Sequence, residues 1–355
     1  MPATATPSLT ASRERSSTIE AAIERNPRSF RILTGDRPTG ALHLGHYFGT
    51  LQNRVRLQDR GVELLVLIAD YQAITDRYAS PDLPGDVLGL VADYLAVGID
   101  PDRATIFAHS QVPALNQLLL PFLSLVSVAE IGRNPTVKAE IAAAGPAGLT
   151  GLMFSYPVHQ AADILFCHAN LVPVGKDQLP HLEITRTVAR RFNERYSPAR
   201  PYFPEPDGLL SAAPQLLGLD GTKMSKSRNN SVPLRATADQ TAALIARART
   251  DSERVITFEA GRRPQVASLL LLASLCREET PQAVAERVGA GGAAALKAVV
   301  TEAVNDRFAV IRARRAELAG DQRYLRDVLA AGTLRAQSIA EDTLDAVRRL
   351  MHFRY

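Results

Sequence analysis

Leu44, Phe48, Leu51 and Val55 recur at spacings of four, three and four, which predicts one inward-facing side of a helix that closes near Gly61. The next segment, Glu63-Leu-Leu-Val-Leu-Ile-Ala69, is apolar at almost every position and ends in Asp70. Such runs predict strands covered on both faces, as in a parallel sheet. Ser29-Phe-Arg-Ile-Leu33 predicts an earlier strand ending in Thr34-Gly35. Further on the pattern predicts a helix over 85–97, a strand at Ala104–Ala108 and a long apolar helix over 112–132, interrupted by Pro121. A strand at Leu171–Val174 and a helix from about 178 to 193 follow. Alternating strands and helices make a doubly wound α/β domain over 30–233, with a helical insertion at about 112–150.

From about Leu234 the strand signals stop, and 234–355 reads as helices apart from a short extended piece at Val255–Phe258. Residues 1–29 are polar and rich in Ser, Thr, Ala and Arg, and read as a mobile tail with a short helix around 17–25. The tail has no apolar stretch suited to a secretory signal, and Glu14, Glu20 and Glu24 oppose an organellar transit peptide.

Composition narrows the class without naming a chemistry. With 46% hydrophobic and 22% charged residues in 355, the chain can bury a core, and its length suits two domains. Two cysteines, Cys167 and Cys276, cannot build a disulfide framework or a structural zinc site, so a reducing, cytoplasmic setting is expected. No apolar run is long enough to span a membrane. The net charge of +4 resides wholly in the helical part, which carries 18 Arg and one Lys against 15 acids, while the rest is balanced at 22 of each. That excess suits either a solvated arginine-rich face or one that meets phosphates. The chain contains no tryptophan.

The first segment with chemistry is Gly35-Asp-Arg-Pro-Thr-Gly40-Ala-Leu-His43-Leu-Gly45-His46, where strand turns into helix. Doubly wound folds bind phosphates there. Ala41-Leu42 stands where a P-loop requires Lys-Ser/Thr, and no G-x-G-x-x-G is present, so Walker and dinucleotide sites are excluded. Two histidines three apart remain, around a glycine that lets a nucleotide approach the backbone. A buried structural histidine is the competing reading; a metal is disfavoured, because no Cys or acid lies at ligand spacing. The second segment, Gly221-Thr-Lys223-Met224-Ser225-Lys226-Ser227-Arg228, sets two lysines three apart among small hydroxyls. Such a pair suits a leaving polyphosphate, although a lone charge run is more often solvated and idle.

His43-Leu-Gly-His46 and Lys223-Met-Ser-Lys-Ser227, in this order and about 180 residues apart, resemble the two signatures of class I aminoacyl-tRNA synthetases. The resemblance runs from about Phe30 to the C-terminus. It implies a Rossmann-like catalytic domain, a helical anticodon-reading domain, ATP with magnesium, an amino acid and a tRNA, and a homodimer. Membranes and DNA are not among the implied partners. His43, His46, Lys223 and Lys226 would carry the catalysis, with no resident metal. ATP would be lined by Gly35, Arg37, Pro38, Thr39, Gly45, Gly175, Lys176 and Asp177, with Met224, Ser225 and Ser227 completing the phosphate loop.

A third segment, Tyr156-Pro-Val-His-Gln160-Ala-Ala-Asp163-Ile-Leu, places Tyr156, Gln160 and Asp163 on one helix face. It resembles the specificity helix of the subclass that activates tyrosine or tryptophan. The Tyr-x-x-x-Gln-x-x-Asp spacing is shared with tyrosine enzymes. Two features favour the tryptophan type. Leu33 stands where tyrosine enzymes place a second phenol-binding Tyr, and sites that read a hydroxyl depend on such buried partners. The stretch Leu171–Arg186 is also similar to tryptophan enzymes. By this resemblance Asp163 accepts the indole N–H of L-tryptophan, and the tRNA is tRNA(Trp). Tyr156, Gln160, Gln178, Gly35 and Gln72 surround the amino acid, with Leu33, Val172 and Val174 as walls. Arg37, Lys176 and Gln72 depart from the common bacterial pattern of Gln, Glu and His, which suggests a divergent second type. A tyrosine enzyme, a synthetase-like protein that binds without catalysing, and a small-molecule adenylyltransferase are the alternatives.

Overall fold

A computed structural model describes residues 7–74, 81–144, 149–175, 179–210, 216–222, 224–225, 228 and 230–354, with side chains from residue 14 except at 140, 143 and 144. Five parallel strands form one sheet: β1 (Arg31–Asp36), β2 (Glu63–Ile68), β3 (Ala104–Ala108), β4 (Leu171–Val174) and β5 (Asp207–Leu210), in the order β3-β2-β1-β4-β5. Alternation along each strand divides the core in two. Ile32, Leu64, Val66, Ile106 and Leu171 face one apolar cluster; Leu33, Leu65, Leu67, Phe107 and Val172 face the other. Both faces are covered, which is why these strands read as continuous apolar runs. β5 is too short and too glycine-broken to have been read from the sequence.

β1 pairs with β2 over six residues from Arg31–Glu63 to Asp36–Ile68, but with β4 only at Ile32–Leu171. Pro173, which has no N–H to give, lies just beyond the point where this pairing stops. The chain order reverses between β1 and β4, and the strands part towards their C-terminal ends. A crevice at that place is where doubly wound folds hold ligands.

Three expectations change. The supposed tail is a 19-residue helix, Pro7–Arg25, with Ile19 and Ile23 buried in the first cluster. Arg15 forms a two-pronged ion pair with Asp207 of β5, and Ser16 accepts the Leu210 N–H. Two isoleucines among Ser, Thr and Arg make a stripe too narrow to stand out in the sequence. The apolar stretch 112–132 is three short helices, Pro113–Gln117, Leu119–Leu123 and Val128–Arg133, rather than one long one. Val255–Phe258 pairs with no strand; the Ile256 N–H donates to the Gly289 carbonyl.

The C-terminal residues are helical and share the two cores of the sheet. The helix Gly292–Gly320 packs on the helix Leu83–Val97, tied by Arg315 to the buried Asp93. The helix Gln322–Leu350 returns across the edge strand β3, where Arg335 donates to the Ala104 and Pro101 carbonyls. Capping these groups closes an edge that would otherwise invite pairing. Among the described residues no helix is long and apolar enough to cross a membrane.

Candidate active site

The turn after β1 is built for close approach. A Cβ on Gly35 would lie 2.3 Å from the Leu67 carbonyl oxygen, and Gly40 has φ +96, where a side chain is strained. Arg37 is exposed, Pro38 buried and Thr39 half-buried in this turn. Helix 44–59 then begins, and its second turn widens into a π-type turn over Tyr47–Leu51. Insertions of this kind recur at functional sites because they re-aim neighbouring side chains.

His43 is buried and stands just ahead of the helix; its ring lies 3.7 Å from that of His46, tilted by 42°. The His43 N–H donates to His46 Nδ1 at 3.2 Å. An accepting Nδ1 puts the proton of a neutral His46 on Nε2, where it is a donor. Asp36 ends β1 beside this pair. Burial pushes its carboxyl upward, but the Arg54 guanidinium at 2.6 Å more than offsets that, and Tyr94 donates a further hydrogen bond. The Asp36 pKa is held at about 2, so a fixed carboxylate lies near His46.

The second signature is brought to the first by backbone pairing. The Leu44 N–H donates to the Val232 carbonyl and the Leu234 N–H to the Leu42 carbonyl, flanking a bridge between His43 and Pro233. Met224 packs so near Gly45 that a Cβ there would lie 3.0 Å from its sulfur and from the His43 ring. Asn230 organises the loop: its Oδ1 accepts the Ser225 N–H, and its amide donates to Asp220 and Thr222. Hydrogen bonds from the Thr222 backbone and from Asn230 hold the Asp220 carboxyl below its usual range. Lys176, Asp177, Gln178, Lys223, Lys226 and Ser227, named from the sequence, lie outside the described residues, and Gly175 is exposed at the end of β4.

The amino-acid end lies deeper. Asp163, on the helix Gly151–Leu165, is 4% exposed, and burial pushes its carboxyl well above the usual range. The Gln72 amide donates to Asp163 Oδ2 at 3.3 Å. Leu33, Val172 and Val174 are buried in the same apolar cluster, which continues through Ala161 and Ala162 beside Asp163. Tyr156 and Gln160 are half-buried two turns and one turn earlier, and the Tyr156 ring meets His181 edge-on at 5.0 Å.

Residues 25–309 match the family described as tRNA synthetases class I (W and Y). The chain belongs to this family of class I tRNA synthetases. It is 40% identical over 337 residues to the tryptophan–tRNA ligase of Lactococcus lactis, covering 91% of this chain and 98% of that one. It is 41% identical over 340 residues to the tryptophan–tRNA ligase of Streptococcus agalactiae, with the same coverage. A tryptophanyl-tRNA synthetase of Campylobacter jejuni, solved with ADP and tryptophan, superimposes with a TM-score of 0.80 at 28% identity, covering 91% of this chain and all of that one.

This synthetase has site residues that sequence reasoning missed. His109, just after β3, is fully buried with its Nε2 3.3 Å from Asp163 Oδ1. His159 stacks near it, ring centroids 4.5 Å apart, and pairs with Asn116 at 2.9 Å. His159 precedes Asp163 by four, so helical spacing alone places both on one face; His109 gave no local signal. Asn230 was silent although its partners Ser225, Asp220 and Thr222 lie only 5, 10 and 8 residues away, because it stands outside the lysine signature; the Asp36–Arg54 pair was silent because its partners are 18 residues apart.

Proposed function

We infer that this synthetase is a tryptophan–tRNA ligase. It activates L-tryptophan with magnesium-bound ATP and transfers it to the 3′ end of tRNA(Trp). The observation that carries the amino-acid assignment is the buried Asp163 acceptor among Leu33, Val172 and Val174, with an apolar side chain at Leu33 and no second phenol partner there. An indole offers one N–H and a wide apolar body, which suits one acceptor and apolar walls.

In the first step a tryptophan carboxylate oxygen bonds to the α-phosphorus of ATP as the bond to the pyrophosphate oxygen breaks. In the second, a ribose hydroxyl of the terminal tRNA adenosine attacks the carbonyl carbon and AMP leaves. No protein nucleophile is needed, so positioning and charge stabilisation carry the rate. The His46 Nε2–H, held by the His43 backbone, is the donor offered to phosphate oxygens. Gly35 and Gly45 leave room for the nucleotide, with Arg37, Pro38, Thr39, Gly175, Lys176 and Asp177 around it. Lys223 and Lys226 meet the charge that grows on pyrophosphate, on the loop with Met224, Ser225 and Ser227. Tyr156, Gln160, Gln178 and Gln72 give polar contacts to the amino acid. Arg37, Lys176 and Gln72 mark it as a divergent second type of tryptophan enzyme.

The arginine-rich helices of 234–355 take the tRNA. The enzyme is a cytoplasmic homodimer, and Leu120 and Val128, 76% and 73% exposed, are the apolar positions that a second copy would cover. ATP–pyrophosphate exchange with tryptophan and tyrosine side by side tests the assignment. Exchange driven by tryptophan, lost in Asp163→Ala, is expected; a preference for tyrosine overturns it.

A further inference from the structure

His109, His159 and Asp163 each bring one ligand atom within 4.8 Å of the other two, and all three residues are buried. His109 Nε2 and Asp163 Oδ1 are 3.3 Å apart, yet neither atom has an aligned hydrogen-bond partner among the described residues. Buried polar atoms are normally satisfied, so two adjacent orphans call for a partner that both can bond. Their separation matches the edge of a tetrahedral zinc shell, about 3.3 Å for ligands at ~2.0–2.1 Å.

The surroundings of His159 are those of a metal-binding imidazole, whose second nitrogen is normally fixed by a polar acceptor. His159 Nε2 pairs with Asn116 Oδ1 at 2.9 Å, which puts its proton there and leaves Nδ1 as a lone pair. Gln72 Nε2 lies 3.3 Å from both His109 Nδ1 and Asp163 Oδ2; a cation bound through His109 Nε2 requires the Nδ1–H tautomer, and therefore that this amide turn its oxygen towards Nδ1. Two nitrogens and one carboxylate exclude magnesium and calcium, which take oxygen shells, and select a borderline transition cation.

We propose that His109, His159 and Asp163 form a site for a zinc-class divalent cation that excludes tryptophan by occupying Asp163. The exclusion rests on the reading of Asp163 as the indole acceptor; the cation site rests on geometry alone. A cell with excess free zinc would thereby slow tryptophan activation by this enzyme.

The test uses the full-length protein stripped with a chelator, with cobalt(II) as the probe. Wild type is expected to give the visible absorption of four-coordinate cobalt at one equivalent, and added tryptophan to abolish it. His159→Leu is expected to lose that absorption. Asn116→Ala keeps all three ligands and is expected to weaken cobalt about 10- to 100-fold, an effect that a loss of folding cannot mimic. In wild type, zinc should raise the KM for tryptophan in exchange assays and leave kcat and the KM for ATP unchanged. No cobalt spectrum in a protein that activates tryptophan overturns the site and leaves the proposed function standing. A cobalt spectrum that tryptophan does not displace overturns the exclusion. Cobalt binding with no tryptophan-dependent exchange supports the site while the functional reading fails.

Discussion

Gly332 lies against Ile106 so closely that a Cβ would sit 1.8 Å from the Ile106 carbonyl oxygen. The contact is backbone on backbone, so no side chain can swing aside. It sets the height at which the helix Gln322–Leu350 crosses β3, and Ala336 and Ala340, both fully buried, continue the same close seam. Gly332→Ala must lift the helix off the strand, and overpacking of this kind costs about 1–3 kcal/mol. Urea unfolding should show that loss. A variant as stable as wild type would mean that the seam relaxes freely.

The Asp36–Arg54 pair predicts both a mutational and a pH effect. Replacing Asp36 by Asn strands a buried guanidinium, and breaking such a pair costs about 3–5 kcal/mol. The folded pKa of about 2 lies below the ordinary carboxyl value. Its contribution, about 2–3 kcal/mol, is therefore complete above about pH 4 and drains as pH falls towards 2. Over that window the stability of Asp36→Asn should fall less steeply than that of wild type. Parallel curves would show that other carboxylates carry the acid transition.

How much of this was legible follows from where each partner lies in the chain. β1 to β4 were readable because their apolar runs are local and uninterrupted. The two histidines and the lysine loop were readable because a polyphosphate site needs several groups at fixed short spacing. The Pro7–Arg25 helix was legible only over about 17–25, and its docking not at all, because its buried face rests on two isoleucines and its main anchors, Asp207 and Arg56, come from elsewhere in the fold. His109 escaped because its partners His159 and Asp163 lie 50 and 54 residues further along. Local pattern predicts elements; it is silent on buried polar pairs that only the closed sheet assembles.

Asn230 holds the signature loop through the Ser225 N–H, Asp220 and Thr222. Asn230→Ala removes these bonds without opening the sheet core. Exchange activity should fall about tenfold or more, since loss of geometry around reacting groups is costly, while thermal unfolding shifts little. Equal losses of activity and stability would make Asn230 structural.

Gly45→Ala probes the meeting of the two signatures. The new Cβ would press on the His43 ring and the Met224 sulfur, both at 3.0 Å. Met224 can yield, whereas His43 is buried and cannot move far. The expected result is a raised KM for ATP, of about tenfold, with the tryptophan KM unchanged. A change confined to tryptophan would place this contact at the amino-acid end instead.

These 355 residues contain no tryptophan, so making this enzyme draws nothing from the amino-acid pool it serves. Translation of an ordinary protein stalls at tryptophan codons when the charged tRNA runs short; this message has none on which to stall. Under tryptophan limitation its rate of synthesis, per message, should fall less than that of tryptophan-containing proteins of similar length. Pulse labelling with message levels measured in parallel reads this directly. An equal fall would show that the missing residue confers no protection. A smaller fall would identify a synthetase suited to persist while its own substrate is scarce.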